Sequence, residues 1–435
     1  MNTLRRKKIA FHTLGCKLNF AETSTISSTF PENTYEKVTA GQKADIYVIN
    51  TCSVTEAADK KCRQAIRKFR NLSPEAMIVA IGCYSQLRPQ EIAAIPGVDM
   101  VLGTNERFGL AEMIKNYGKR SPCEIHSSHL SESDPFIPAF SAGDRTRSFL
   151  KVQDGCDYGC AYCTIPLARG SSRSPGIDTI LEEASVIAEK GIKEIILTGV
   201  NIGDFGRKNG QSLYNLLCEL VKINGIERYR ISSIEPNLLT DELIEMTADN
   251  PKILPHFHLP LQGGSDKILA LMGRRYKRDV FSKKIQKIRS LIPLAGIGSD
   301  ILTGFPGEND EDFEDAYNFL SDQPLSYMHV FPYSERPGTR AVKMEGKVNH
   351  HVKELRSKRL HVLSEKKHDI FLKNNIGHNE NVLFESVKNK GMITGFTGNY
   401  IRVEYPWDQS FAGKIKKIRM KNIEVSGRMS VEIIS

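Results

Sequence analysis

No run in this sequence approaches the roughly 20 consecutive apolar residues that a helix needs to cross a bilayer. Apolar runs such as Ile195–Leu197 have the length of strands, and a membrane span is excluded. Nor does an apolar signal core follow the basic start Arg5-Arg6-Lys7-Lys8, because Ile9–Leu14 is too short and too polar; the expected location is cytoplasmic. Cysteine is too sparse for a disulfide framework, nine in 435 residues, so cysteines at meaningful spacing point to metal ligation or catalysis. Compositional bias is lacking too: 40% hydrophobic and 26% charged residues are ordinary values, which indicate neither a disordered nor a fibrous chain.

What is present is length and a modest basic excess. A chain of 435 residues exceeds one compact core and divides into two or three domains. Lysine plus arginine outnumber aspartate plus glutamate 60 to 51, a net charge of +9, which suits an anionic partner such as RNA.

In residues 1–118, the short runs Lys8–Thr13, Ile46–Asn50 and Ile78–Ile81 alternate with helical stretches, and each leads into a loop. That is the pattern of a small parallel α/β domain. Residues 119–144, with Ser121-Pro122, Ser127-Ser128, Ser131, Ser133 and Pro135, show neither helical nor strand period and read as a linker. Residues 145–373 hold six strand-like runs, Phe149–Val152, Glu194–Thr198, Tyr229–Ser232, His256–Leu261, Gly296–Ile301 and Tyr327–Val330, alternating with longer helical ones. Six such units predict an open parallel barrel with its site at the carboxyl ends of the strands. Val352–Lys373 reads as a solvated terminal helix. In residues 374–435 the runs Asn381–Val387, Met392–Phe396, Asn399–Val403 and Lys414–Lys421, punctuated by glycine, predict a small all-β barrel.

The chemistry begins at Cys156, Cys160 and Cys163, directly after a predicted strand. Three thiolates so spaced wrap three corners of a cubane iron–sulfur cluster. Structural zinc would need a fourth ligand, and no further Cys or His sits nearby. The spacing after the first of six strand units resembles the radical SAM superfamily. There the open iron binds the amino and carboxylate groups of S-adenosylmethionine (SAM), and the reduced cluster cleaves it to a 5′-deoxyadenosyl radical.

Cys16, Cys52 and Cys83 each follow a predicted strand of the first domain. Ligands collect at the carboxyl edge of a parallel sheet, so these three either converge on one site or are unrelated core cysteines. Spacing alone leaves both open. The full set, Thr13-Leu14-Gly15-Cys16-Lys17-Leu18-Asn19 with Glu22, Asn50-Thr51-Cys52-Ser53-Val54-Thr55, Gly82-Cys83-Tyr84-Ser85-Gln86 and then the second trio, resembles the methylthiotransferase family across essentially the whole chain. That resemblance implies an N-terminal domain with an auxiliary cluster on Cys16, Cys52 and Cys83, a radical SAM barrel with its cluster on Cys156, Cys160 and Cys163, and a C-terminal TRAM domain that binds RNA. It implies two 4Fe-4S clusters and SAM as cofactors. It further implies a tRNA anticodon stem-loop as partner, a sulfur donor, and an electron donor such as flavodoxin or ferredoxin.

Three substrate subgroups differ around the first cysteine. The isopentenyladenosine enzymes usually read Tyr-Gly-Cys-Gln-Met-Asn and the ribosomal-protein aspartate enzymes Leu-Gly-Cys-Pro-Lys-Asn; neither stands here. His12 to Asn19, Val54-Thr55, Ala58-Asp59-Lys60-Lys61, Arg63-Gln64 and Cys83-Tyr84-Ser85-Gln86 instead resemble the enzymes acting on N6-threonylcarbamoyladenosine next to the anticodon. Their nearer rival is the ribosomal-protein enzyme, and the more distant one an RNA-binding scaffold with a structural metal.

Other positions carry paired readings. Thr198, Gly199 and Asn201 follow the second barrel strand, where a glycine lets the backbone approach the methionyl part of SAM or simply makes a turn. Glu235, Gln262 and Asp300 lie at later strand ends and either bind ribose, adenine or substrate, or satisfy strand ends and helix caps. Tyr158 and Tyr162 flank the cluster cysteines, to stack on adenine or to pack. Gly304-Phe305-Pro306-Gly307-Glu308 reads as a tight loop shaping the site. Tyr333, Arg336 and Thr339 line the mouth or form a surface loop. Cys62, Cys123 and Cys218 read as structural. Lys414, Lys416, Lys417, Arg419 and Lys421, with Tyr400, Tyr405 and Trp407 nearby, offer phosphate contact and base stacking, or else a solvated strand.

Overall fold

The computed structural model describes residues 5–115, 122–143 and 146–434. Ser121 and the expected domain limits at 118/119 and 144/145 lie outside the described residues.

The first sheet is built from β1 (Lys7–Thr13), β2 (Tyr35–Val38), β3 (Ile46–Thr51), β4 (Met77–Gly82), β5 (Met100–Leu102) and β6 (Glu124–His126). All pairings are parallel, in the order β2-β1-β3-β4-β5-β6. Every residue of β3 and β4 is buried, as helices on both faces require. Helix α1 (Lys17–Ser28) follows β1, and helix α2 (Glu56–Leu72) follows β3. Thr55 caps α2 by accepting from the Ala58 amide, and Cys62, Ala65, Ile66 and Phe69 form its buried stripe. Phe69 stacks on Tyr47 with ring centroids 4.7 Å apart.

β6 corrects the reading of residues 119–144 as wholly irregular. Three residues carry no period, and pairing with β5 alone fixes them as a strand. β2, with four residues, and β5, with three, also escape periodicity.

The second region contains β7 (Ser148–Lys151), β8 (Glu194–Thr198), β9 (Arg228–Ile231), β10 (His256–His258), β11 (Gly296–Thr303) and β12 (Tyr327–Pro332), the six expected units. They form two parallel sheets, β7-β8-β9 and β10-β11-β12. Isolated bridges Tyr229 to Ile253 and Ser233 to His258 join the sheets into one open barrel. Leu150, Leu197, Ile231, Phe257, Ile297 and Val330 belong to the core shared with the helices. Side chains alternate across a strand, so Glu194, Arg228, Arg230, His256, His258, Asp300, Tyr327 and His329 face the interior. A barrel of this kind is ordinarily filled by branched apolar side chains; this interior is polar.

The helix His350–Asn375 is not simply solvated, as its charge suggested. Arg356, Leu360, Leu363, Lys367 and Phe371 form a buried stripe. Its cations are satisfied there: Lys367 Nζ donates to Ser321 O at 2.9 Å and Gln323 O at 2.6 Å, and Arg356 pairs with Glu308 at 2.6 Å.

The last region is a closed barrel, β13 (Asn379–Phe384), β14 (Met392–Thr397), β15 (Arg402–Pro406), β16 (Ile415–Ile423) and β17 (Met429–Ile433), in the order β13-β14-β15-β17-β16. It is clamped to the second region by Arg230, which donates to Gly398 O at 2.8 Å and Thr397 O at 3.0 Å.

Candidate active site

β1, β3 and β4 are neighbours in the first sheet, and a cysteine stands at the carboxyl end of each. Cys16 precedes α1, Cys52 follows β3, and Cys83 opens helix α3 (Cys83–Leu87). Because β2 pairs outside β1, the strand order reverses between β1 and β3, the place where open parallel sheets bind ligands. Gly15 turns the chain with φ +100°, and a Cβ there would lie 2.9 Å from Cys52 Sγ, so only glycine allows the first two loops to close on each other. Asn19 Nδ2 donates to Leu14 O at 2.8 Å and Thr51 O at 3.1 Å, while Thr51 Oγ1 donates to Ile81 O at 2.6 Å. The polar residues beside each cysteine thus tie the three loops together.

Burial, then Cys83 and Cys16, push the Cys52 thiol up to about 12. Cys16 reaches the surface, yet desolvation by the surrounding protein raises it too, with Arg169 opposing and Cys83 adding. Cys16 and Cys52 are therefore poor free thiolates and good ligands, since a bound cation supplies the charge that ionises a thiol. Cys62 is structural: its Sγ donates to Cys52 O at 3.4 Å.

The second trio follows β7. Gly155, at φ +69°, packs so closely on Ser171 O that no side chain fits, and the Cys156 amide donates to Gly170 O at 3.0 Å. Each sulfur has a donor. Tyr158 N lies 3.4 Å from Cys156 Sγ, Ile165 N 3.4 Å from Cys163 Sγ, and Arg274 Nη1 3.3 Å from Cys160 Sγ. Burial pushes Cys156 up to about 12 and Cys163 up to about 11. Neither trio is gathered around one ion: among the described residues, only His258, Asp300 and His329 form a three-residue group with ligand atoms within 4.8 Å of one another. The all-thiolate donor set of each trio suits three corners of an iron–sulfur cluster.

Residues 8–103 match the family described as Uncharacterized protein family UPF0004, and residues 150–320 match the Radical SAM superfamily. The chain is 39% identical over 426 residues to the threonylcarbamoyladenosine tRNA methylthiotransferase MtaB of Bacillus subtilis, covering 95% of this chain and 93% of that protein. The chain belongs to the radical SAM methylthiotransferase family. The Aquifex aeolicus protein of the same name is 40% identical, covering 85% of this chain and 91% of its own. A tRNA-2-methylthio-N(6)-dimethylallyladenosine synthase of Syntrophus aciditrophicus is 35% identical, covering 83% and 80%. The radical SAM methyltransferase TsrM of Kitasatospora setae shares the fold, with a TM-score of 0.56 at 14% identity over 78% of this chain and 77% of that one. With the family come SAM and 4Fe-4S clusters as cofactors.

In this methylthiotransferase Thr198, Gly199, Asn201, Glu235 and Gln262 lie at the carboxyl ends of β8, β9 and β10, on the rim that carries the second trio. Gln153 Oε1 accepts from Val200 N and Asn201 N, both at 2.9 Å, so the backbone amides of that turn are engaged. Asn201 Oδ1 is buried without a partner. Glu235 forms an ion pair with Arg274. Gln262 adopts φ +69° and donates from its backbone to Asp300 O at 2.8 Å. Asp300 itself stands deeper, its Oδ1 3.2 Å from His258 Nε2. Both tyrosines pack: Tyr158 lies under Arg275 at 4.1 Å, and Tyr162 meets Phe305 edge-on at 6.2 Å. Arg336, expected at the mouth or on the surface, is buried and donates to Asp59 Oδ2 at 2.6 Å and Ser53 Oγ at 2.7 Å, beside the Cys52 loop.

The basic cluster of the last barrel divides by strand alternation. Lys417, Arg419 and Lys421 share an exposed face of β16, and Lys414 is exposed before it, whereas Lys416 is half-buried over Phe411 at 5.2 Å. Tyr400 turns inward against His256, with centroids 4.5 Å apart, which removes it from the stacking role expected for it.

Sequence reasoning missed a buried charge cluster where the first two regions meet. Glu22 receives Arg107 at 2.6 Å, Arg169 at 3.0 Å and Lys151 at 3.2 Å. Asp154 receives Lys151 at 2.7 Å and Arg169 at 3.0 Å. Arg169, six residues beyond Cys163, also donates to Asn19 Oδ1 at 2.7 Å, three residues beyond Cys16. Burial alone would raise Glu22, but Arg107, Arg169 and Lys151 hold it at about 2. Only Glu22 stood in a quoted motif; the partners come from remote segments with no shared period. Glu22→Gln leaves three buried cations around a neutral amide and is expected to cost about 3–5 kcal/mol, measured as a lowered unfolding transition. The folded carboxyl lies below its ordinary 4.5, so its contribution is complete above pH 4.5 and fades as pH falls towards 2. The variant's deficit should shrink over that window.

Lys17, the residue after Cys16, is half-buried at the start of α1. Burial, then Arg230 and Arg147, lower its ammonium to about 8, and its charge in turn acts on His256 and His329.

Proposed function

We propose that this protein is a cytoplasmic enzyme that methylthiolates C2 of N6-threonylcarbamoyladenosine at position 37 of tRNA, giving the 2-methylthio derivative. The observation that carries this reading is the pair of cysteine trios, held on facing loops by Arg169, in a chain whose MtaB relatives match it nearly end to end. Cys16, Cys52 and Cys83 would hold one 4Fe-4S cluster, and Cys156, Cys160 and Cys163 the other. When bound, the second cluster supplies the electron that splits SAM, and the first is where sulfur is delivered.

The remaining chemistry belongs to the chain. Arg274 orients Glu235 and donates to Cys160, fixing the rim on which SAM would lie. Thr198, Gly199, Asn201, Glu235 and Gln262 line that rim, Asn201 with a free carbonyl oxygen for a ligand donor. Tyr158 and Tyr162 wall it against water. Asp300, with His258, faces the substrate from the interior. Residues 1–118 serve sulfur insertion, residues 145–373 SAM chemistry, and residues 374–435 grip the anticodon stem-loop through Lys414, Lys417, Arg419 and Lys421, with Lys416 supporting from the barrel. An electron donor such as flavodoxin or ferredoxin and a separate sulfur donor complete the cycle.

Mass spectrometry of tRNA nucleosides from a deletion strain tests the assignment. The 2-methylthio group should vanish from threonylcarbamoyladenosine alone; its loss from isopentenyladenosine, or from a ribosomal-protein aspartate, would transfer the assignment to those substrates. Replacing Lys417 and Arg419 together by glutamate is expected to weaken tRNA binding uniformly across sequences, lowering the log–log salt slope by about 1 per lost phosphate contact. A filter-binding salt titration reads this.

A further inference from the structure

The inner face of β10, β11 and β12 gathers three metal-ligating side chains that belong to neither cysteine trio. Asp300 and His329 are register partners on β11 and β12. His258, on β10, pairs with Gly298, two residues before Asp300. One ligand atom from each of His258, Asp300 and His329 lies within 4.8 Å of the other two. His258 and Asp300 nevertheless do not satisfy each other. Ser233 Oγ lies 2.8 Å from His258 Nδ1. His258 Nε2 stands 3.2 Å from Asp300 Oδ1, yet it is buried and makes no hydrogen bond. A ring N–H aimed at the carboxylate would make one; a lone pair, with the Nδ1 proton given to Ser233, would not. Asp300 pairs with no lysine or arginine among the described residues, although its side chain is only 26% exposed. A carboxylate so enclosed calls for a cation. Two ligands of one small metal ion, each about 2.0–2.2 Å from it, lie about 3.0–3.5 Å apart, and the 3.2 Å between Nε2 and Oδ1 falls inside that interval. Metal-bound imidazole ordinarily gives its other nitrogen to a hydrogen-bond partner, the place Ser233 fills. His329 is exposed on the edge strand β12, where its ring is free to rotate onto the same ion.

We propose that the barrel interior binds one divalent first-row transition-metal ion through His258 Nε2, Asp300 and His329. Two imidazoles and a carboxylate suit zinc or ferrous iron, whereas magnesium and calcium take oxygen ligands. Three protein ligands leave at least one position open to the interior, for water or for an oxygen of an entering anion. The site shares no residue with either trio, so its ion is a component beyond the two clusters. A substrate reaching Asp300 would meet the ion in place of a bare carboxylate. The inference stands whichever nucleoside is modified.

Manganese is the probe, because it has little affinity for thiolates and binds imidazole and carboxylate. Hydrated Mn2+ gives a sharp EPR signal that is lost on binding, and oxidised 4Fe-4S clusters are EPR-silent. Anaerobic titration of the cluster-loaded, full-length enzyme is expected to show about one bound Mn2+ per chain, displaced by one equivalent of Zn2+. Asp300→Asn and His329→Gln should each weaken that binding at least tenfold, and Ser233→Ala about tenfold to a hundredfold, as loss of a partner that orients a ligand does. His329 is exposed, so its variant should fold even where Asp300→Asn does not, and iron per chain should stay at the parental value in both. Absence of bound Mn2+ from the parent, or parental affinity in either Asp300→Asn or His329→Gln, overturns the inference.

Discussion

Cys160→Ala is expected to abolish 5′-deoxyadenosine formation while leaving the iron of the first trio in place. Cys160 is the middle cysteine of its loop and the sulfur towards which Arg274 points, at 3.3 Å. Alanine would remove one of the three proposed cluster ligands and take from Arg274 Nη1 its sulfur acceptor. Changes to groups that merely orient a ligand already cost about 10–100-fold in metal affinity or activity, so loss of the ligand itself should exceed that and reduce SAM cleavage to background. The loop should survive, because its clamps, Cys156 N to Gly170 O and Ala161 N to Met272 O, are backbone bonds. Anaerobic turnover with dithionite, followed by chromatography of 5′-deoxyadenosine, reads the effect, and iron analysis reads the remaining site. Cleavage at parental rate would remove Cys160 from the cluster.

Cys52→Ala should do the converse. SAM cleavage persists, methylthio product falls to the detection limit, and the iron content drops to that of one cluster. The asymmetry follows from the fold: Cys52 stands at the end of β3, and the second trio's loop is built entirely by residues after β7. Truncation at Cys52 removes a small buried thiol and leaves Asn19 bonded to Thr51 O, so the loop frame stands. Continued formation of methylthiolated nucleoside would place sulfur insertion elsewhere.

The second trio was legible as a motif in the sequence because its cysteines are local: spacing after a strand is visible without a structure. The first trio was legible only as three strand-end cysteines, since nothing in their spacing says that β1 pairs with β3. That adjacency arises because β2 pairs on the outer side of β1. The six barrel strands were legible as apolar runs alternating with longer helical stretches, whereas β2, β5 and β6 are short strands that stand out from no such alternation. The basic run of the last barrel misled by its density. Along an extended strand Lys416 must face away from Lys417, and it does. The pairing of Glu22 with Arg107, Lys151 and Arg169 joins segments up to 147 residues apart, which no local pattern encodes.

That buried cluster has a consequence for how the enzyme moves. Opening the two halves like a jaw would strand Glu22 from Arg169 and Lys151 in a dry interior. Hinge motion at this seam is thereby disfavoured, and the fold holds the loops of the two cysteine trios in a set relation to each other.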